Sequence, residues 1–248
     1  YYYNYNNIGC LTCIKNFKKE MKNLHPTKTI LKVITYNIHS GKNLNGKCTF
    51  PKIVDFIKEY NPDILALQEI NDNKKRGYQI TKLYKEIKKN YHFGPQVKIF
   101  DGYYGIATFS AFPIIQKQHI QLPSLKEKRG IIQTTLKINN KNIDIFNTHL
   151  GLNSKERTAQ FSIIQRYIKS TENSFILMGD FNTDKPELSS SLFFDTSLWN
   201  YQNSIPTIIK YHKRIDYILV SKDISTIFYK VLPISLSDHY PVVAEIEI

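Results

Sequence analysis

Apolar residues recur along the chain in two patterns from residue 30 onward. Short runs rich in β-branched and aromatic residues are typical of strands, whereas longer segments with apolar positions three or four residues apart are typical of helices. The first pattern predicts strands at residues 30–36, 63–68, 96–100, 103–110, 114–121, 130–138, 142–148, 175–178, 215–220, 226–232 and 242–248. Strands therefore dominate the chain.

The helical pattern is accompanied by signals for helix ends. Pro51 suits the first turn of a helix, Asn61 and Pro62 end that helix, and Ser154 is a candidate cap for a later one. The predicted helices are 52–60, 79–90, 154–169 and a short one at 187–194.

The order of these elements predicts one α/β domain over residues 29–248. Asn139 and Asn140 separate two strands and tolerate the backbone of a tight hairpin. Other strands are separated by helices, which implies crossover connections, so the sheets should be mixed. Residues 1–28 show neither pattern, and we interpret them as an extension that is disordered or not native, with Met21 as the hypothetical start.

Composition narrows the class of protein. A hydrophobic fraction of 42% supports a substantial core, and no apolar run reaches the length of a membrane span. Because residues 1–28 contain no apolar segment after a basic stretch, we see no signal peptide and expect a cytoplasmic protein. We expect a monomer.

Charge and cysteine content leave two questions open. The net charge of +13 is consistent with attraction of a polyanion, but equally with a lysine-rich proteome. The three cysteines provide no disulfide framework, which fits a reducing compartment. Cys10 and Cys13 form a lone CxxC without the second pair that a zinc site needs, and we attribute it to chance.

Polar side chains follow five of the predicted strands, where a sheet edge would bring them together. Each alone fits an ordinary structural role, such as a turn, a cap or a buried histidine. Together they provide carboxylates, carboxamides and imidazoles, without a cysteine or serine nucleophile motif or a phosphate-binding loop. Hard oxygen ligands suit Mg²⁺ or Mn²⁺, and nearby imidazoles can stabilise a charged oxygen. The clusters are Asn37, Glu69, 147–149, 179–182 and 237–239.

These clusters belong to longer motifs that resemble the endonuclease/exonuclease/phosphatase superfamily. The resemblance runs from Leu31 to Ile248, and the motifs occur in the order typical of that family. They are ITYN at 34–37, DILALQE at 63–69, YGIATFS at 104–110, NTHL at 147–150, MGDFN at 178–182, RIDYIL at 214–219 and SDHYPV at 237–242. The resemblance implies a four-layer α/β sandwich, in which two face-to-face mixed sheets are flanked by helices, and a metal-dependent phosphodiester hydrolase.

The resemblance also implies roles for the acidic and amide side chains. Glu69 would hold the divalent cation, Mg²⁺ or Mn²⁺, with Asn37 and Asp238 nearby. Asp180 would orient or deprotonate the attacking water. Asn182 would hold a phosphate oxygen or a second ion.

The histidines receive roles in the same way. His239 would contact the phosphate and stabilise charge in the transition state, while Asp216 would fix its tautomer. His149 matches the histidine of deoxyribonuclease- and sphingomyelinase-like members, as a general acid or a phosphate ligand. Arg129 and His39 are weaker candidates for contact with substrate, and a solvated turn charge explains Arg129 equally well.

Three functions remain open at this stage. Charge and the RIDY motif favour an endonuclease or exonuclease that acts on nucleic acid. The alternative is a sphingomyelinase-like phosphodiesterase that cleaves phospholipid head groups at a lipid surface, or a phosphatase. A binding module without catalytic activity is disfavoured because Glu69, Asp180 and His239 are all present. Substrate choice should depend on residues 71–76 and 185–213, whose sequence alone does not identify the substrate.

Overall fold

The computed structural model describes residues 28–248. The Cys10 and Cys13 pair, Met21 and the extension predicted for residues 1–28 lie outside the described residues, apart from Lys28. The strands are β1 (Ile30–Asn37), β2 (Ile64–Asp72), β3 (Asn90–Ile99), β4 (Gly102–Ser110), β5 (Ile114–Leu122), β6 (Arg129–Ile138), β7 (Lys141–His149), β8 (Ser174–Asp180), β9 (Phe193–Asp195), β10 (Asp216–Ser221), β11 (Ser225–Val231) and β12 (Val242–Glu247). The α-helices are α1 (Phe50–Tyr60), α2 (Gln79–Ile87) and α3 (Ser154–Ser170).

The strands form two six-stranded mixed sheets, in the orders β11-β12-β1-β2-β4-β3 and β5-β6-β7-β8-β10-β9. Each sheet contains one parallel pair, β1 with β2 and β7 with β8, because α1 and α3 cross over between those strands. Within residues 28–248, no helix is both long enough and apolar enough to cross a membrane.

Three hydrophobic clusters hold these layers together. The largest lies between the sheets and includes Val33 and Ala66 of one sheet with Ile145 and Ile176 of the other. A second cluster packs α1 and α2 on the outer face of the first sheet, and a third packs α3 on the second sheet. The order helix, sheet, sheet, helix confirms the predicted four-layer sandwich, since each sheet buries both of its faces.

Two predicted helix boundaries differ in the structure. The helix predicted at 79–90 ends at Ile87, because Lys88 adopts a left-handed conformation (φ 51°) and donates its N–H to Tyr84 O. Strand β3 therefore starts at Asn90 and is longer than predicted. The cap of α3 is Asn153 rather than Ser154, with its side chain accepting from two backbone N–H groups.

The helix predicted at 187–194 is wrong. This segment runs through turns, and its last residues form β9, which pairs with β10 at the sheet edge. The backbone N–H of Ser189 is bonded to the side chain of Gln165 on α3, and three consecutive serines at 189–191 favour helix weakly. Within the predicted helix, only Phe193 and Phe194 pair with the free sheet edge. The hairpin at Asn139 is confirmed, with φ 52° at that residue.

Candidate active site

The predicted polar side chains meet at one edge of the paired sheets. Asn37, His149 and Asp180 are the last residues of β1, β7 and β8, and the two parallel pairs direct these strand ends to the same side. Asp216 is the first residue of the antiparallel strand β10 and pairs in register with Asp180. His239 precedes β12 and bridges to Ile208. Strand topology therefore explains how distant motifs converge.

Unusual backbone conformations set the direction of several side chains at this edge. The pairing of β2 with β4 is interrupted between Leu67 and Ile70, and Glu69 there has a φ of 58°. Asn182 also has a positive φ, 52°. Gly179 has a φ of 145°, and a Cβ at this position would lie 2.0 Å from Thr148 O. Conformations of this kind cost free energy and are characteristic of functional sites.

Asp180 is the centre of the cluster. One of its oxygens, Oδ2, accepts a hydrogen bond from the Asn37 amide at 3.0 Å and lies 3.5 Å from His149 Nε2 and 3.7 Å from His239 Nε2. The other oxygen accepts from the backbone N–H of Asn182 at 2.8 Å. Asp180 is only 1% exposed. Burial and then the charge of Asp216 raise its pKa, so this carboxylate is a stronger base than a surface aspartate.

His239 and Asp216 form a buried pair. His239 Nδ1 lies 2.8 Å from Asp216 Oδ2, which places a proton on Nδ1 and directs Nε2 towards Asp180. Burial alone would lower the pKa of His239, but the carboxylates of Asp216 and Asp180 outweigh burial and raise it to about 10. His239 is therefore a cation at neutral pH.

His149 is held in the opposite charge state. Its Nδ1 lies 2.9 Å from the Arg129 guanidinium, which can only donate, so Nδ1 accepts and the proton resides on Nε2. Burial, followed by the charges of Arg129 and His239, lowers the pKa of His149 well below its usual value. The 3.5 Å approach of His149 Nε2 to Asp180 is thus the contact of a neutral imidazole and not an ion pair. Two imidazoles beside one carboxylate consequently differ in charge.

Arg129 lies inside the protein, which excludes a role as a solvated turn charge. Its side chain is 5% exposed, and its guanidinium contacts both His149 and Glu127 Oε1, the latter at 2.9 Å. Its Nε has no hydrogen-bond partner among the described residues. Arg129 therefore orients His149 directly.

The residues present fit a hard divalent cation. Asn37 donates to Glu69 Oε1 at 3.1 Å as well as to Asp180, which joins the two carboxylates through one amide. Glu69 makes no ion pair with any cation within residues 28–248, and it is more exposed than Asp180. Buried carboxylates with one imidazolium leave an excess of negative charge that a cation would balance.

A second group of potential ligands is Asp180, Asp216 and His239, whose ligand atoms lie within 4.8 Å of one another. His239 carries a proton on Nδ1 that is bonded to Asp216, so its Nε2 could coordinate an ion in the neutral state, while the carboxylates of Asp216 and Asp180 favour the protonated state. Asp216 Oδ1 is buried without a hydrogen-bond partner in the described part of the chain. Glu69 with Asn37 forms one group of candidate metal ligands, and Asp180, Asp216 and His239 form the other.

Three predicted residues lie at the margin of the cluster. His39 Nδ1 lies 3.6 Å from Asp238 Oδ1, and Ser237, next to Asp238, donates its hydroxyl to Asn37 O. The Asn182 amide donates to Leu150 O at 2.8 Å, and its amide oxygen has no partner among residues 28–248. That oxygen could ligate a metal ion, as predicted, whereas the predicted contact with a phosphate oxygen would need the second N–H of the amide.

The structure adds contributors that the sequence left uncertain or missed. Tyr104 is partly buried beside Glu69, and burial and then the charges of Glu69 and Glu127 raise its pKa well above the usual value. Gln68 donates to Asn147 Oδ1 at 2.8 Å, which ties the two sheets together behind the site. Glu127 also contributes to the site, and only its position two residues before Arg129 could have indicated this from the sequence.

An aromatic stack supports the two strand ends that carry the acids. The Arg214 guanidinium lies 4.2 Å from the centre of the Tyr217 ring, which stacks on Phe181 at 4.8 Å and an interplanar angle of 21°. Arg214 also donates two bonds to Asp195, at 2.7 and 2.6 Å. Because Phe181 follows Asp180, this stack fixes both acidic strand ends.

Comparison with known proteins identifies the family and agrees with the fold. Residues 34–239 match the model of the Endonuclease/Exonuclease/phosphatase family. Similar solved structures include an endonuclease/exonuclease/phosphatase from Beutenbergia cavernae, with a TM-score of 0.74, 20% identity, and coverage of 88% of this chain and 72% of that one. A mannosyl-6-phosphatase from Bacteroides thetaiotaomicron gives a TM-score of 0.71, 20% identity, and coverage of 87% and 99%. TDP2 from D. rerio, complexed with a single strand DNA product, gives a TM-score of 0.73, 17% identity, and coverage of 88% of this chain and 99% of that one.

Proposed function

Since the chain belongs to the endonuclease/exonuclease/phosphatase family of phosphoester hydrolases, we propose that it hydrolyses phosphodiesters of nucleic acid with the help of Mg²⁺ or Mn²⁺. The observation that carries this proposal is the arrangement around Asp180. A buried carboxylate of raised pKa lies between a cationic and a neutral imidazole. Such a site can accept a proton and stabilise charge at the same time.

Each residue has a distinct part in the proposed reaction. A water oxygen bonds to phosphorus opposite the leaving oxygen, and Asp180 accepts the proton that the water loses. The cationic His239 neutralises charge on the phosphoryl oxygens, and neutral His149 donates a hydrogen bond from Nε2. The P–O bond to the leaving oxygen then breaks, and that oxygen takes its proton from solvent.

A divalent cation would be held by Glu69, with Asn37 and Asp238 nearby. When bound, such an ion polarises a phosphoryl oxygen and lowers the pKa of a coordinated water. Asp216 would keep His239 protonated on Nδ1 throughout the reaction, which leaves Nε2–H available to the substrate.

Two observations support nucleic acid as the substrate. The net charge of +13 attracts polyanions. A structurally similar protein, TDP2 from D. rerio, was solved with a single strand DNA product. We further propose that the chain acts as a monomer.

Phospholipid is the second candidate substrate, favoured by one feature. Leu125 and Leu152 are 74% and 77% exposed and line a cavity of about 440 Å³ that Arg129 also lines. Exposed apolar side chains beside a phosphate-binding site would suit a lipid surface.

A panel of substrates tests the proposal. The purified chain is incubated with Mg²⁺, Mn²⁺ or a chelator and plasmid DNA, single-stranded DNA, RNA, an abasic duplex, sphingomyelin vesicles, inositol phosphates or mannose 6-phosphate. We expect cleavage of nucleic acid that the chelator and the substitutions Asp180→Ala and His239→Ala abolish. Cleavage of sphingomyelin without cleavage of nucleic acid would favour the lipid alternative. Inactivity towards every ester would exclude both.

A further inference from the structure

A cleft of about 280 Å³ opens beside the candidate active site. It lies between the segment 71–76, which follows Glu69, and the hairpin that joins β3 to β4. Its lining combines two cations and one carboxylate with two aromatic rings and with polar and apolar side chains, and includes Asn71, Lys75, Arg76, Phe100, Tyr104 and Glu127. The reaction described above uses none of its basic residues.

The floor of the cleft is a connected hydrogen-bond network. Gln79 donates to Ser40 O at 2.8 Å and accepts from the backbone N–H of Asn71 at 3.0 Å. Asn73 donates to Asn71 Oδ1 at 3.0 Å and accepts from the backbone N–H of Arg76, also at 3.0 Å. Gln79, Asn71 and Asn73 are buried, so the turn that carries the cations is fixed before any ligand binds.

Asp101 lies in the hairpin between β3 and β4 and connects it by hydrogen bonds to the segment that contains Lys75 and Arg76. Its carboxylate accepts from the backbone N–H of Lys74 at 3.1 Å and from the Tyr78 hydroxyl at 3.0 Å. Lys75 Nζ lies 4.3 Å from the centre of the Phe100 ring, which nevertheless remains 66% exposed. The cleft therefore presents an ammonium group together with a largely exposed aromatic ring.

The cations of the cleft are available to an anionic ligand. In the part of the chain that the structure describes, neither Lys75 nor Arg76 forms an ion pair with an acidic side chain. The cleft is also continuous with the candidate active site. Tyr104 lines the cleft and lies beside Glu69, and Glu127 lines it and contacts Arg129.

We propose that this cleft binds one nucleotide of a single-stranded polynucleotide next to the scissile phosphate. The base stacks on Phe100, and the adjacent phosphate pairs with Lys75 and Arg76. A paired base cannot lie flat on a side-chain ring, which favours single strands over duplex. A phosphocholine head group carries a cation that Lys75 and Arg76 would repel. This inference rests on the proposed nuclease function and assigns part of its substrate specificity.

Binding to a short oligonucleotide tests the cleft without relying on turnover. The affinity of the whole chain for a fluorescein-labelled single-stranded DNA decamer is measured by anisotropy, in chelator, at several salt concentrations. Phe100→Ala should weaken binding at least about fivefold, as expected for loss of one base stack. Lys75→Ala and Arg76→Ala should each reduce the slope of log affinity against log salt by about 0.7, as expected for loss of one phosphate contact.

The chain contains a matched control for this cleft. Phe194 is 49% exposed, with Lys222 Nζ 3.8 Å from its ring centre, and it pairs with Val220 near the end of β10 away from Asp216. Phe194→Ala and Lys222→Ala should leave both affinity and salt slope unchanged. Thermal unfolding midpoints of all variants exclude loss of fold as the cause.

The outcomes separate the cleft from the proposed function. If Phe100→Ala and Lys75→Ala bind the decamer like the wild type, the cleft is not a nucleotide subsite, whatever the enzyme cleaves. If the control variants weaken binding equally, the effect is general electrostatics and the assignment is wrong. Cleavage of the same decamer by the wild type with Mg²⁺ is measured in parallel. Absence of cleavage with subsite-dependent binding would contradict the nuclease proposal alone.

Discussion

Replacement of Asp216 by Asn should impair catalysis because it removes the charge that keeps His239 protonated. The two side chains are 2.8 Å apart and nearly inaccessible to solvent. Burial lowers the pKa of His239, and Asp216 is the largest influence that raises it to about 10. Without that carboxylate the pKa moves down towards the range expected from burial, and His239 becomes neutral on the alkaline side of neutrality. The amide oxygen of Asn can still accept from Nδ1–H, so the ring keeps its orientation.

The magnitude follows from the role proposed for His239. Loss of a positioned charged group that assists proton or charge transfer costs about 10²- to 10⁴-fold in rate. At pH 8 we expect kcat/KM to fall by that factor. Because each pH unit above the pKa lowers the protonated fraction of His239 about tenfold, a 10²-fold loss at pH 8 corresponds to a pKa of about 6 in the variant, so the alkaline limb of the activity profile should move to lower pH by several units.

The assay is a pH–rate profile for bis(p-nitrophenyl) phosphate with Mg²⁺, from pH 5.5 to 9.5. Asp184→Asn is the matched control, since Asp184 is 44% exposed and, within residues 28–248, forms an ion pair only with Lys213, at 3.4 Å. A variant Asp216→Asn that stays within threefold of the wild type at pH 8, with an unmoved alkaline limb, would refute the role assigned to this pair.

Three further predictions concern the scaffold of the site. Arg214→Met should destabilise the fold by about 3 kcal/mol in urea unfolding, because it leaves Asp195 partly buried without a partner. The double variant Arg214→Met with Asp195→Leu should recover at least half of that loss. Equal losses in the single and double variants would contradict the ion-pair argument. Gly179→Ala should lower the free energy of unfolding by at least about 3 kcal/mol. Gly46 also has a positive φ, 72°, but no atom lies within 4 Å of an added Cβ, so Gly46→Ala should lower it by about 1 kcal/mol. Similar losses for the two variants would show that the close approach to Thr148 is not limiting. Burial lowers the pKa of His92 to about 4, so its stabilising contribution is present above its unfolded pKa of about 6.5 and is lost as the pH falls towards 4. Between pH 7.5 and 4.5 the wild type should therefore lose about 2 kcal/mol more than His92→Gln, and parallel curves for the two proteins would exclude His92 as a source of acid sensitivity.

The sequence predicted most of the scaffold because local patterning and strand topology agree. Asn37, Asp180 and Asp216 each adjoin an apolar run that could be recognised as a strand, and strand ends converge in any sheet with parallel pairs. The prediction of a helix at 187–194 was wrong because the structure of this segment depends on a free sheet edge and on Gln165 of α3, which are remote in sequence. Local propensity contains no information about either contact.

The charge states within the site could not be predicted from motifs. His149 and His239 appear in similar polar contexts in the sequence, yet one faces Arg129 and the other faces Asp216. Those partners are 20 and 23 residues away in the chain and set opposite protonation states. The cleft at Lys75 and Phe100 depends in the same way on contact between a turn and a hairpin.

We propose that this chain cleaves nucleic acid by metal-dependent hydrolysis at Asp180 and His239. The most direct measurement is the rate at which the purified chain shortens an end-labelled single-stranded DNA, resolved by gel electrophoresis, with Mg²⁺ and with chelator. We predict cleavage that requires the ion, returns when Mg²⁺ replaces the chelator, and disappears in His239→Ala while that variant still unfolds cooperatively. Cleavage that persists in chelator or in His239→Ala, or an intact strand under every condition, would contradict the account.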